Sequence, residues 1–172
     1  MQLDILRHAK SSWADPGQDD HDRPLNRRGE RAAGAIGRHL AIRGDLPDRV
    51  LCSSARRARE TWERVARRLP ASHELDLVVV KGLYLAGPAD LIEELRALPE
   101  AVERALLVGH NPGVAQLAQA LSGEGSNPDP LRALRAKYPT AALATLEFTG
   151  PWCELGARCG RLVRFLTPKD LA

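Results

Sequence analysis

Residues 3–13 read Leu3-Asp4-Ile5-Leu6-Arg7-His8-Ala9-Lys10-Ser11-Ser12-Trp13. The short apolar run over 3–6 has the length and composition of a buried β-strand. It ends at once on a guanidinium and an imidazole, after which small and polar residues take over. Open parallel sheets hold their ligands beyond the carboxyl ends of their strands, so a strand that ends this way is placing chemistry there.

Five further apolar runs, over 49–52, 77–80, 105–108, 143–148 and 162–166, are strand candidates, and helical stripes fill most of the gaps. A helix over 27–42 has Asn26 as N-cap and ends near Gly44. Another, over 55–69, follows Ser53-Ser54 and stops at Pro70, with Ala58, Thr61, Trp62, Val65, Ala66 and Leu69 on one face. A third covers 88–98. The fourth opens at Asn111-Pro112, with Asn111 as cap and Pro112 at the first helical position. Residues 11–23 and 122–130 read as surface loops, the first placed to act as a flap. The alternation predicts one α/β domain over 1–172, a three-layer α/β/α sandwich. Its sheet is mostly parallel, with a mixed edge where the last two strands follow one another directly.

A chain of 172 residues with 44% hydrophobic and 27% charged residues has the balance of a water-soluble globular domain. No run reaches the roughly 18 apolar residues of a membrane span, and no basic-then-apolar leader opens the chain. Cytoplasmic residence without membrane contact is the expectation. Three cysteines without a CxxC pair read as reduced thiols. The five histidines lack zinc-ligand spacing, so neither metal nor cofactor is expected. The net charge is only +3, the arginines spread along helices, and aromatics are 4%, which argues against nucleic acid.

Three strand-to-helix junctions carry basic residues: Arg7-His8, then Ser53-Ser54 running into Arg56-Arg57, then Gly109-His110-Asn111-Pro112. Together they predict a single anion pocket. Arg56, Arg57 and Arg59 stand in the first turn of a helix, where the macrodipole disfavours a cation by up to about 1 kcal/mol. A bound phosphate reverses that sign. Spacing alone does not choose Arg57 over Arg59. Two histidines and several arginines, with no serine elbow or cysteine motif, suit phosphoryl transfer. A neutral imidazole carries the phosphoryl group and guanidinium groups neutralise its oxygens.

The motifs resemble those of the histidine phosphatase superfamily, the phosphoglycerate mutase-like fold, and within it the small SixA-type phosphohistidine phosphatases. Arg7-His8-Ala9 looks like the Arg-His-Gly signature, and Asp22-Arg23-Pro24-Leu25 with Arg28-Gly29 is similar to the second block. Ser53-Ser54-Ala55-Arg56-Arg57-Ala58-Arg59-Glu60-Thr61 matches the arginine-bearing helix start and singles out Arg57. Val108-Gly109-His110-Asn111-Pro112 matches the last block. The resemblance implies His8 as the phosphorylated nucleophile, with Arg7, Arg57 and His110 on the phosphoryl oxygens and Arg23 reaching in from the loop.

Two departures stand out: Ala9 replaces the usual glycine, and residues 80–88 carry no carboxylate where larger members place a general acid. Asp90, Glu93 and Glu94 read as an exposed helix face. A missing proton donor favours a phosphoramidate, so phosphohistidine on a protein is the favoured substrate and the phosphorylated protein the expected partner of a monomer. One alternative is a small-molecule phosphomonoesterase in which Asp15, Asp19 or another loop acid acts. The other is a phosphate-binding regulatory module without turnover. His21, His39 and His73 fall outside the pocket in this reading, and Trp13 and Trp152 read as packing residues.

Overall fold

The computed structural model describes residues 1–171. Strands β1 (Gln2–Arg7), β2 (Arg49–Ser53), β3 (Asp76–Val80), β4 (Arg104–Gly109), β5 (Leu143–Phe148) and β6 (Gly160–Leu166) form one sheet in the order β3-β2-β4-β1-β5-β6. The first four in that order run parallel, while β5 is antiparallel to β1 and β6 to β5. Five helices cover the two faces: α1 (Arg27–Arg43), α2 (Arg56–Ala66), α3 (Pro88–Arg96), α4 (Gly113–Leu121) and α5 (Pro128–Ala136).

The period of two along β1 assigns the layers. Leu3 and Ile5 enter one core with Leu91 and Leu95 of α3, Val114, Leu117 and Leu121 of α4, and Leu134 of α5. Leu6 enters the other with Ala33, Ile36 and Leu40 of α1 and Ala58, Trp62 and Val65 of α2. The neighbours β1 and β4 therefore send their following helices to opposite faces. That is a topological switch point, the place at the carboxyl end of the strands where open α/β sheets bind their ligands.

Three helix readings need correction. The helix at Asn111-Pro112 starts at Gly113 with Pro112 as its cap residue, and the Asn111–Pro112 peptide is cis. Asn111 does not cap; its amide donates to the Tyr138 carbonyl at 3.1 Å. Helix α2 ends at Ala66, because Arg68 and Leu69 bond to Val65 and Ala66 three residues back, a tightening turn rather than more α-helix. Residues 128–136, part of which read as loop, form α5, opened by Pro128 after Asn127.

Helices α1 and α2 touch backbone to backbone. A Cβ at Gly37 would strike the Val65 carbonyl oxygen and crowd the Arg68 side chain. Neither wall is the free end of a flexible side chain, so the helices would have to part. Gly37→Ala is expected to cost about 1–3 kcal/mol, an overpacking penalty, lowering the thermal midpoint by about 2–4 °C per kcal/mol in calorimetry. An unchanged midpoint would contradict this contact.

Candidate active site

Parallel pairing of β1 with β4 sets Arg7 opposite Gly109, so His8 and His110 leave adjacent strands side by side. The His8 amide donates to the Gly109 carbonyl at 3.0 Å, and the two ring centroids lie 5.0 Å apart. Strand β2 ends alongside, with Ser53 Oγ 2.8 Å from His110 Nε2. Arg57, near the start of α2, donates from Nε toward His8 Nε2 at 3.4 Å and from its terminal nitrogen toward His110 Nδ1 at 3.4 Å. All three are buried, while Arg59 faces solvent, which resolves the choice that spacing left open.

The partners fix the tautomers. A carbonyl only accepts, so the 2.8 Å contact of His8 Nδ1 with the Ala9 oxygen places the proton on Nδ1 and leaves the lone pair on Nε2. Arg57 only donates, so His110 Nδ1 accepts and its Nε2–H points to Ser53. Burial, partly offset by the bond to Ala9 and reinforced by the charges of Arg57, Arg7 and Arg23, lowers the His8 pKa to about 4. Burial, then His8 and Arg57, take His110 to about 3. Both rings are neutral at physiological pH. Ala9 is not among the residues with positive φ, so it meets the geometry without a glycine. Its amide donates to Thr61 Oγ1 at 2.9 Å, and that hydroxyl donates to the Arg57 carbonyl at 2.6 Å, tying the turn after His8 to α2.

Arg7 and Arg23 stand one step back. Arg7 donates to the Tyr138 carbonyl at 2.8 Å and bonds neither imidazole. Its Nε and the nearby Asn111 Oδ1 are buried without partners. Arg23 is spent on the 11–23 segment, donating to the Ser12 carbonyl, Ser11 Oγ and Asp20 Oδ1. Trp13 is not a packing residue: it is 72% exposed, its ring 3.1 Å from the Arg23 guanidinium carbon. Trp152 does pack, with its indole N–H on the Val102 carbonyl.

Asp20 and Tyr84 escaped the sequence reading. Asp20 bridges Arg57 (2.9 Å) and Arg23 (2.8 Å), accepts from the Tyr84 hydroxyl at 2.8 Å, and offers its own carbonyl to Arg57. Partial burial pushes its carboxyl up, but hydrogen bonds from Tyr84 and Arg23 and the Arg57 charge outweigh that and hold it at about 2. Tyr84 sets its ring edge-on to His110 at 5.5 Å and to His21 at 5.0 Å. His21, also within 3.0 Å of Ser54 Oγ, is thus part of the rim rather than outside the pocket. Three of the other acids are engaged locally: Asp15 caps the Gly17 amide, Asp90 the Gly87 amide, and Glu93 pairs with Arg96. Two signals pointed here, the three-residue spacing of Asp20 from Arg23 and the place of Tyr84 just past the carboxyl end of β3.

The family model for the histidine phosphatase superfamily (branch 1) matches residues 3–83. An uncharacterized protein of Mycobacterium tuberculosis is 38% identical over 167 residues, 95% of this chain and 100% of that one. Among solved structures, a chain from Agrobacterium tumefaciens with a provisional SixA phosphohistidine phosphatase name superposes with a TM-score of 0.81 at 34% identity, covering 97% of each chain. One from Nakamurella multipartitia, similarly named, gives 0.82 at 30%, covering 97% of this chain and 95% of its own. These two structures thus match nearly the full length of the chain, and His8 and Arg57 both lie within the residues that the family model matches. The chain belongs to the histidine phosphatase superfamily, branch 1.

Proposed function

We propose that the protein is a metal-independent phosphatase in which His8 carries the phosphoryl group, and that its substrate is phosphohistidine on a protein. The observation that carries this reading is the state of His8: a neutral imidazole, its Nδ1 proton given to Ala9, its Nε2 lone pair turned toward Arg57 and beside His110. In the first step Nε2 bonds to phosphorus while the P–N bond to the substrate imidazole breaks. The electron pair stays on the departing nitrogen, and that ring, already protonated on its other nitrogen, leaves neutral. Water then bonds to phosphorus, the bond to Nε2 breaks and returns its electron pair to His8, and a proton is released with inorganic phosphate. Arg57 and the unpartnered Nε of Arg7 hold the phosphoryl oxygens, and His110 joins them as a donor once the bound anion favours a second proton on its ring. Arg23 holds the loop that carries Asp20. An alkoxide leaving group would need a proton donor, and Asp20, ionised in the free protein, is not one.

His8→Ala is expected to fold normally and to lose activity by about 10³-fold or more. Incubation with a radiolabelled phosphohistidine protein should leave acid-labile label on the wild type only. Label on the variant refutes the nucleophile. In the same assays kcat/KM for phosphohistidine should exceed that for an alkyl phosphomonoester such as glycerol 2-phosphate, whose alkoxide needs a proton, by about 10²-fold, the scale of a general acid. The reverse ratio would favour the phosphomonoesterase alternative.

Because burial holds both rings neutral, NMR of ring-labelled protein should find His8 and His110 unprotonated at pH 5.5, below the ordinary value of 6.5. Adding tungstate should raise the protonation midpoint of His110, since an anion favours imidazolium. Protonation of both rings at pH 5.5 without tungstate contradicts the geometry.

Asp20 occupies the guanidinium donors that an oxyanion needs. Asp20→Ala should therefore tighten tungstate binding by about threefold to tenfold in calorimetry, the scale of a half-exposed ion pair. Weaker binding would mean that the carboxylate organises the site rather than competing for it.

A further inference from the structure

A groove of about 870 Å³ lies between α1 and the C-terminal end of α5, bordered at one side by Pro168, Lys169 and Leu171. Its cations are Lys10, Arg28, Arg31, Arg38, Lys137 and Lys169, and among the described residues no carboxylate lines it. Among the described residues, none of these six has an acidic partner within ion-pair distance. The floor is aliphatic, built from Ala32, Ala35, Ala133, Ala136 and Leu171, with Phe165 of β6 beneath. Arg28, Arg31, Ala35 and Arg38 recur at helical spacing, so charges and methyl groups share one face of α1, over about 15 Å of its length.

The groove and the candidate active site stand on two sides of one strip of backbone. Lys137 and Pro139 line the groove, while the carbonyl of Tyr138 between them accepts from Arg7 at 2.8 Å. The Ala141 amide bonds to the Arg7 and His8 carbonyls at 3.0 and 3.1 Å. Lys10, at one end of the groove, is two residues past His8.

We propose that this groove docks an acidic amphipathic helix of the phosphorylated protein substrate, which rests on the protein-substrate reading above for the owner of that helix. Unpaired cations over a methyl-lined floor complement a helix with carboxylates on one side and apolar side chains on the other. About three turns of helix match the length of the groove. Single-stranded nucleic acid fits less well, because it stacks on exposed aromatic rings and the one ring here, Phe165, is only 8% exposed. Inorganic anions would have no use for the apolar floor.

The test uses the full chain and a fluorescein-labelled peptide of about twelve residues, with Glu on one helical face and Leu on the other. The peptide should bind in fluorescence anisotropy, and more weakly as NaCl rises. The double charge reversal R31E/R38E, at two exposed positions, should weaken binding about tenfold or more while leaving p-nitrophenyl phosphate hydrolysis within about twofold of wild type. Equal affinity in the double variant overturns the proposal. So does equal binding of a peptide with Lys in place of Glu, or tighter binding of a single-stranded DNA of the same charge. Binding needs no turnover, which separates the two readings: peptide binding without phosphohistidine hydrolysis removes only the substrate assignment, and hydrolysis without peptide binding removes only the groove.

Discussion

A guanidinium that is 4% exposed sets the terms for everything around it. The buried charge of Arg57 survives only where its nitrogens find acceptors, and all three do. Two of those acceptors are imidazole nitrogens and the rest belong to Asp20. An imidazole accepts only when neutral, and only through the nitrogen that lacks a proton. The cation thus excludes imidazolium next to it and dictates the tautomers: the His8 proton is driven to Nδ1, where the Ala9 carbonyl receives it, and the His110 proton to Nε2, where Ser53 does. The neutral state of His8, with its Nε2 lone pair free of a proton, follows from where Arg57 sits.

That arrangement has a thermodynamic side. Between pH 6.5 and about 4, an unfolded chain protonates the residue-8 imidazole and the folded chain does not, so this group withdraws stability as the pH falls through that window. His110 does the same down to about 3. Asp4, in the middle of β1, works the other way. Burial raises its carboxyl to about 6 against the hydrogen bond from Thr145, so below that value the fold keeps a proton that the unfolded chain releases down to 3.8. Asp20 resembles the histidines in direction, its ion pairs contributing above 3.8 and being lost toward about 2. Strand β1 thus carries a carboxyl that folds better with its proton, and four residues on, just past its end, comes an imidazole that folds better without one.

The elements legible in the sequence are those whose signal is local. Every strand was readable from its apolar run, which is buried on both faces in the central strands β1, β2 and β4 and persists in the edge strand β3 although Leu77 and Val79 there face outward, and α1 because Asn26 does cap it and Gly44 does end it with a positive φ. The three junctions were readable because a basic residue at a strand's carboxyl end is a local event. What stayed hidden depends on partners far along the chain. Asn111 looks like a cap until the Tyr138 carbonyl takes its amide. Arg57 and Arg59 are equivalent in spacing, and only the packing of α2 on the sheet sends one inward. Asp20 looks like any loop acid; its role comes from Arg57 and Tyr84, 37 and 64 residues away. The short helix α5 buries one residue, Leu134, leaving a pattern too thin to read.

The same wiring bears on which leaving group the site favours. Polar groups gathered at the mouth include an ionised carboxylate and a phenol whose pKa burial and the Asp20 bond both raise. The carboxylate has no proton to give, and the phenol's proton is committed to that carboxylate. A sugar or amino-acid alkoxide would leave this site without assistance and would also have to displace Asp20 from two guanidinium groups. A phosphorylated imidazole meets only the second demand, because its ring already carries the proton that makes it a good leaving group. Its phosphoryl group brings more negative charge than the carboxylate it displaces, and more oxygens to share among Arg57, His110 and the free Nε of Arg7. On the proposed reading the carboxylate would screen the site, yielding to a phosphoryl group that binds well enough to evict it, while the missing proton donor would restrict turnover to substrates whose leaving group needs none.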